Sequence, residues 1–149
     1  MGYTHYWRGW VTFSESFIED VQTIITHSGV SICDWDGENS KPVVDDSEIR
    51  LNGDDSEDEG SHESFHLYPG VNHRTFCKTA RKPYDVVVAT ILLRANNLNN
   101  SFKVESDGNW DEQEWINARD LYFAVFKEVA IRPEGIRLPA VTEDVVASN

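Results

Sequence analysis

Cysteine is scarce: Cys33 and Cys77 are the only two in 149 residues. That is too few for the disulfide framework of a small secreted domain, so reduced thiols in a cytoplasmic protein are expected. Long apolar runs are missing as well. No stretch approaches the roughly 18 apolar residues of a membrane span, so a soluble chain is expected. The opening MGYTHYWRGW is polar and aromatic where a signal peptide would be apolar. Repeats and internal linkers are absent, which leaves a single domain over residues 1–149 as the expected organisation. Basic residues are in short supply over half of the chain. Residues 1–70 hold 3 Lys/Arg against 15 Asp/Glu, whereas residues 71–149 hold 10 against 11. The net charge of −13 argues against direct nucleic-acid binding or attachment to an anionic membrane, because both need the opposite sign.

What is present is the material of a folded core: 40% apolar and 11% aromatic residues, above the range of disordered chains. Tyr3 to Phe13 alternates loosely and is rich in aromatic and β-branched residues, which predicts a strand. Ser14 or Ser16 offers an N-cap, with Glu19 three residues beyond Ser16, and Phe17, Val21, Ile24 and Ile25 lie at helical spacing before Gly29. Short strands are predicted at Val30 to Trp35, Ile49 to Leu51 (turning at Asn52-Gly53) and Ser64 to Tyr68 (turning at Pro69-Gly70). Asp85 can cap a helix over Val86 to Ala95 that is apolar on nearly every face and therefore central. After a strand from Ser101 to Glu105, Asp111 and Glu114 form a capping-box pattern. It opens a helix with Trp115, Ala118, Tyr122, Val125, Phe126 and Val129 on one stripe. The pattern predicts an α+β fold, about three helices packed on a mainly antiparallel sheet. A mobile acidic loop at about 54–61 and an irregular tail from about residue 133 complete the expectation.

One motif invites a metal reading. His62-Glu63-Ser64-Phe65-His66 matches the H-E-x-x-H pattern, in which two His one helical turn apart hold zinc while the Glu activates its water. That chemistry needs a continuous helix, and Gly60 and Pro69-Gly70 leave barely room for two turns. Read as a strand, His62, Ser64 and His66 share one side and Glu63 the other, so no metal or other cofactor is assigned. Asp34-Trp35-Asp36-Gly37 and the segment Asp107 to Asp111 resemble pieces of calcium loops without the full ligand spacing, and turn chemistry explains both. Cys77 could act as a nucleophile only with a His beside it, and nothing in the sequence puts one there.

The second motif is basic. Arg74, Lys78, Arg81 and Lys82 place four of the thirteen cations within nine positions, next to His73 and uninterrupted by acids. On so acidic a chain this is a local positive well, and it precedes a helix N-terminus, where free N–H groups and the dipole favour an anion. Arg81 could clamp a phosphate, with Lys78 adding charge and Thr79 a hydroxyl, and Phe76 or Tyr84 could stack a base. Two readings stay open: the cluster holds a guest's anionic group, or it pairs with the nine acids between Asp45 and Glu63.

The blocks MGYTHYW, FCKTARKPYD and SDGNW followed by ARDLY resemble a family of small proteins of tailed phages and prophages. They are spread over most of the chain and mark the family without implying an established activity. The resemblance implies an accessory or counter-defence product in the cytoplasm of a host bacterial cell. If the blocks share one site, His5, Tyr6 and Trp7 approach Lys78, Arg81 and Tyr84, with Asp107 and Arg119 near. The expected function is binding, without turnover, of an anionic small molecule, a nucleotide or nucleotide-derived signal. His5, Trp7, Lys78, Thr79, Arg81 and Tyr84 are its candidate ligands, and sequestration of a host immune messenger is its possible use. One alternative is an acidic DNA mimic that occupies a basic host protein through residues 45–63. Another is a metal-dependent hydrolase using His62, Glu63 and His66.

Overall fold

The computed structural model describes residues 2–38, 40–56 and 58–140. In chain order these form β1 (Thr4–Trp10), α1 (Glu15–Ser28), β2 (Ile32–Cys33), β3 (Val43–Val44) and β4 (Ile49–Gly53). Then follow β5 (Phe65–Leu67), β6 (Gly70–Lys78), α2 (Asp85–Leu98), β7 (Lys103–Ser106) and α3 (Gln113–Phe126). The class is α+β with three helices, as the patterning predicts, but the strands divide into two antiparallel sheets rather than one. In the first, β1 lies between β6 and β7; in the second, β4 pairs with β2, β3 and β5. None of the described helices is long and apolar enough to cross a membrane.

The all-round apolar character of α2 has a simple cause. Val87, Val88, Ala89, Ile91, Leu92, Leu93 and Ala95 are all fully buried, so no face of the helix needs to be polar. Each large apolar side chain placed there contributes about 1.5–3 kcal/mol relative to exposure. From the first sheet Trp7 and Val104, from the second Ile49, Leu51, Phe65 and Leu67, and from α1 Phe17, Val21 and Ile24 complete one core. Helix α1 begins where expected: the Ser14 hydroxyl accepts the Phe17 N–H at 3.1 Å, and Gly29 closes the C-terminus in the left-handed conformation.

Several boundaries differ from the sequence-based expectation, each for a local reason. The sequence pattern predicts no element at the basic island, yet Gly70–Lys78 is the longest of the described strands, held along β1 by a register running from Trp10↔Gly70 to Thr4↔Lys78. Asn52-Gly53 continues β4 instead of turning, because the Asn52 amide bonds the carbonyls of Trp35 and His62 at 3.2 and 3.0 Å. Helix α3 stops at Phe126 and leaves Val129 exposed, since Lys127 adopts a left-handed φ of 58° and returns its N–H to Phe123. Asp111 does not cap α3; its carboxylate lies 3.2 Å from Arg119, and Glu112 takes the cap position. The tail is tied down as far as residue 137: Gly135 bridges Glu105, Ile136 is fully buried, and the Trp110 N–H bonds the Arg137 carbonyl at 2.7 Å. The tail beyond residue 140, and Glu57 of the acidic loop, lie outside the described residues.

Candidate functional site

The rungs joining β1 to β7 run His5↔Ser106, Tyr6↔Glu105, Trp7↔Val104 and Arg8↔Lys103. Residues on one rung of an antiparallel pair point to the same side. The first rung therefore turns His5 and Ser106 together into the interior, where the first turn of α2 supplies Asp85. His5 Nδ1 lies 2.8 Å from the Ser106 hydroxyl and His5 Nε2 lies 2.8 Å from Asp85 Oδ1. The Thr79 hydroxyl also donates to Asp85. Ser106 Oγ accepts the Trp115 indole N–H at 3.0 Å and the Gly108 N–H at 3.1 Å.

Ser106, His5 and Asp85 are the residue types of a nucleophilic triad, but their surroundings prevent that use. With the ring proton on Nε2, the Ser106 proton goes to Nδ1 and both of its lone pairs are taken by N–H donors. His5 is 0% exposed and Ser106 7%, and neither lines any of the larger cavities. A nucleophile needs room for an acyl or phosphoryl group beside it. What this arrangement can do is fix β1, β7 and α2 to one another.

The six candidate ligands are not gathered around one opening. His5 and Thr79 meet at Asp85 inside the network. Trp7 and Tyr84 are buried: the Trp7 ring packs on Phe65 at a centroid distance of 5.1 Å, Trp7 also lines the largest cleft, described below, and the Tyr84 hydroxyl donates to the Glu63 carbonyl. Lys78 ends β6, its main-chain N–H held by the Glu63 carboxylate at 2.7 Å. Arg81 stands 4.1 Å over the Tyr3 ring and is ion-paired with Glu114. A cavity of about 320 Å³ does lie at the start of α2, but its wall holds Asp85 and Glu114 as well as Arg81 and Lys82. The helix dipole there already faces the chain's own carboxylate, which competes with any guest anion.

Two of the island's four cations find partners outside the Asp45–Glu63 acids: Arg74 pairs with Glu105 at 3.0 Å, and Arg81 with Glu114. Those acids partly serve their own loop. Asp54 accepts from Ser31 and Ser56, and Asp55 accepts from Ser61, which holds both carboxyls below the usual range. HESFH contains no helix: it enters strand β5 at Phe65, and His66 Nε2 is bonded to Glu48 at 2.7 Å. Among the described residues no group of three or more His, Cys, Asp and Glu side chains could hold a metal ion. Cys77 faces His5 across β1 and β6, yet both imidazole nitrogens are engaged elsewhere. The thiol donates to the Glu63 carbonyl, and burial pushes its pKa far up, so it is a poor nucleophile.

The larger opportunity is at the other end of the same ladder. A cleft of about 710 Å³ is lined by Arg8, Arg74, Lys103 and Arg132, against which stand Glu105 and Glu134. The fourth rung places Arg8 directly opposite Lys103, and neither has a carboxylate within ion-pair distance among the described residues. Like charges on one rung are unfavourable by a few tenths to about 1 kcal/mol. The nearest diagonal acid, Glu105, is held by Arg74, whose guanidinium also lies 4.0 Å over the Tyr6 ring. Sequence reasoning singled out Trp7 and Arg74, which line this cleft, but missed Arg8, Lys103 and Arg132, because they are far apart in the chain and only strand register reveals that two of them face each other. The volume is that of a small-molecule pocket. No family model, curated protein or solved structure matches the chain.

Proposed function

We propose that this protein binds an anionic small molecule in the cleft between β7 and residues 131–135. The observation that carries the reading is the Arg8–Lys103 rung: two cations face each other on one rung, and among the described residues no carboxylate lies within ion-pair distance of either. On a chain of net charge −13, carboxylates to quench such a pair are plentiful, and their absence from this rung leaves a place for a guest's charge. A phosphate or carboxylate seated between Arg8 and Lys103 would turn a repulsion into two charge-assisted hydrogen bonds. Arg132 and Arg74 would add to the field that draws the anion in. Among the described residues no Ser, Thr or Cys side chain and no metal-ligand set lines the cleft, and the reading is capture without turnover, which suits a sequestering protein. The DNA-mimic alternative draws less support, because Asp54 and Asp55 direct their carboxylates at Ser31, Ser56 and Ser61 of the same chain.

Inorganic pyrophosphate tests the reading. It should raise the melting temperature in a saturable way, because ligand binding to the folded state stabilises by mass action, whereas sodium chloride of equal ionic strength should give only the gradual, non-saturating change of charge screening. The double variant Arg8→Gln/Lys103→Gln should melt at the same temperature with and without pyrophosphate. A wild-type protein indifferent to pyrophosphate, or a double variant that responds as the wild type does, would count decisively against the cleft.

A further inference from the structure

We propose that the ligand of the cleft is a zwitterion, a phosphate monoester that also carries an ammonium group, held by the Arg8–Lys103 rung on one wall and by the Glu134 carboxylate on the other. The inference rests on the cleft reading above and adds to it a class of ligand. Four cations and two carboxylates line this one cavity: Arg8, Arg74, Lys103 and Arg132 with Glu105 and Glu134. Arg74 and Glu105 satisfy each other at 3.0 Å, and the Arg132 guanidinium donates to the Ile136 carbonyl at 2.7 Å. Among the described residues no ion pair engages Arg8, Lys103 or Glu134. Unpaired charges of both signs therefore share the cleft and lie beyond ion-pair distance of one another. A guest that carries both signs gives each of them a partner.

The segment that carries Glu134 fixes its position. The Asn97 side chain clamps Ile131 in both directions, donating to its carbonyl at 3.1 Å and accepting its N–H at 3.0 Å. The chain then turns, the Ile136 N–H returning to the Pro133 carbonyl at 3.0 Å with Glu134 and Gly135 at the corner. Gly135 bridges Glu105 of β7 so closely that a Cβ there would collide with the Val104 carbonyl oxygen, and Ile136 is fully buried. Pinned on both sides, the corner presents an exposed carboxylate whose backbone has little ordering entropy to lose on binding. The balance of charge sets the chemistry of the other end. With Arg74 and Glu105 cancelled, three cations remain against the single carboxylate of Glu134. A phosphate monoester, charged about −1.5 to −2 at neutral pH, suits three cations better than a singly charged carboxylate does. Its several oxygens can serve Arg8 and Lys103 at once, and one ammonium answers the one acid.

Calorimetry with propyl phosphate, 3-aminopropyl phosphate and 3-hydroxypropyl phosphate tests the inference. The amine should bind about two- to five-fold more tightly than propyl phosphate, the increment of one partly solvated ion pair, and more tightly than the hydroxyl compound. Glu134→Gln, which leaves the backbone bonds of the turn intact, should erase that increment. Propyl phosphate itself should bind this variant as well as the wild type or slightly better, because a repelling carboxylate is gone. Arg8→Gln/Lys103→Gln should weaken all three probes. If the amine has no advantage over propyl phosphate, if the hydroxyl compound gains as much, or if the advantage survives Glu134→Gln, no ammonium is held at Glu134 and the inference fails while the cleft stands. If none of the three binds the wild type, the cleft reading fails and the inference falls with it.

Discussion

At one end of the β1–β7 ladder His5 faces Ser106, and three rungs away Arg8 faces Lys103. Both pairs were set by the same register, yet they meet opposite fates. The first is buried, and each of its polar atoms has a partner drawn from another element: Asp85 from α2, Trp115 from α3, Gly108 from the turn between. The second is exposed, two positive charges with no carboxylate within ion-pair distance among the described residues. Buried polar groups without partners are costly, and on this interior rung the closed network avoids that cost. At the surface, water tolerates an unmatched pair at small cost. The contrast shows where the molecule is committed to its own stability and where it is left available to something else.

The largest effect expected is at the closed end. His5→Ala removes the link between Ser106 and Asp85 and takes one of two hydrogen-bond donors from a buried carboxylate, a change that costs about 1.5–3 kcal/mol for the lost bond alone and more for the cavity left behind. Urea unfolding should show a much lower midpoint with the slope little altered. Ser106→Ala, which strips the acceptor from two buried N–H groups, should cost about 1–3 kcal/mol. If either variant unfolded like the wild type, the network would not be what joins β1, β7 and α2, and the comparison would lose its first half.

At the open end the sign reverses. Arg8→Gln removes the like-charge opposition and should stabilise the unliganded protein by a few tenths to about 1 kcal/mol, while weakening pyrophosphate binding. The stabilisation should shrink between about 0.01 and 1 M salt, as screening length falls from about 30 to 3 Å. A variant that is less stable and still binds would mean that Arg8 serves the fold. Stability rising as binding falls is the signature of a residue kept for function.

The two ends also differ in how legible they were. The helical stripe of α1 with its Ser14 cap, and the uniform apolarity of α2, report burial directly, so the three helices and the α+β class could be read from spacing. The division into two sheets could not, because it depends on which edges pair and not on any local pattern. Strand β6 was hidden because its solvent-facing positions carry Asn72, His73 and Arg74, the composition of a loop. His5 and Thr79 were singled out as ligands for their chemistry and proved to be internal, since sequence states what a side chain can bond but not whether the fold already supplies the partner. Arg8 and Lys103 drew no notice for the converse reason: alone, each looks like an ordinary surface cation.

A cation that has the partner Arg8 lacks gives the finest test. Arg50 holds Asp34 through two bonds, at 2.6 and 2.9 Å, and this contact keeps the Asp34 carboxyl below its ordinary value. A carboxyl whose folded pKa is depressed stabilises the protein above the unfolded value of about 3.9 and loses that contribution as pH falls through the folded value. Asp54 and Asp55, lowered by Ser31 and Ser61, share the same window, so the wild-type acid limb is a composite. The informative quantity is the difference in urea midpoint between wild type and Asp34→Asn, which should be present at neutral pH and close progressively below about pH 4. Arg8→Gln, which touches no carboxyl pairing, should keep a pH-independent offset across the same range. Were the Asp34→Asn difference to stay constant into acid, Arg50 would have no more hold on its acid than Arg8 has on none, and a paired and an unpaired cation would be energetically alike in this molecule.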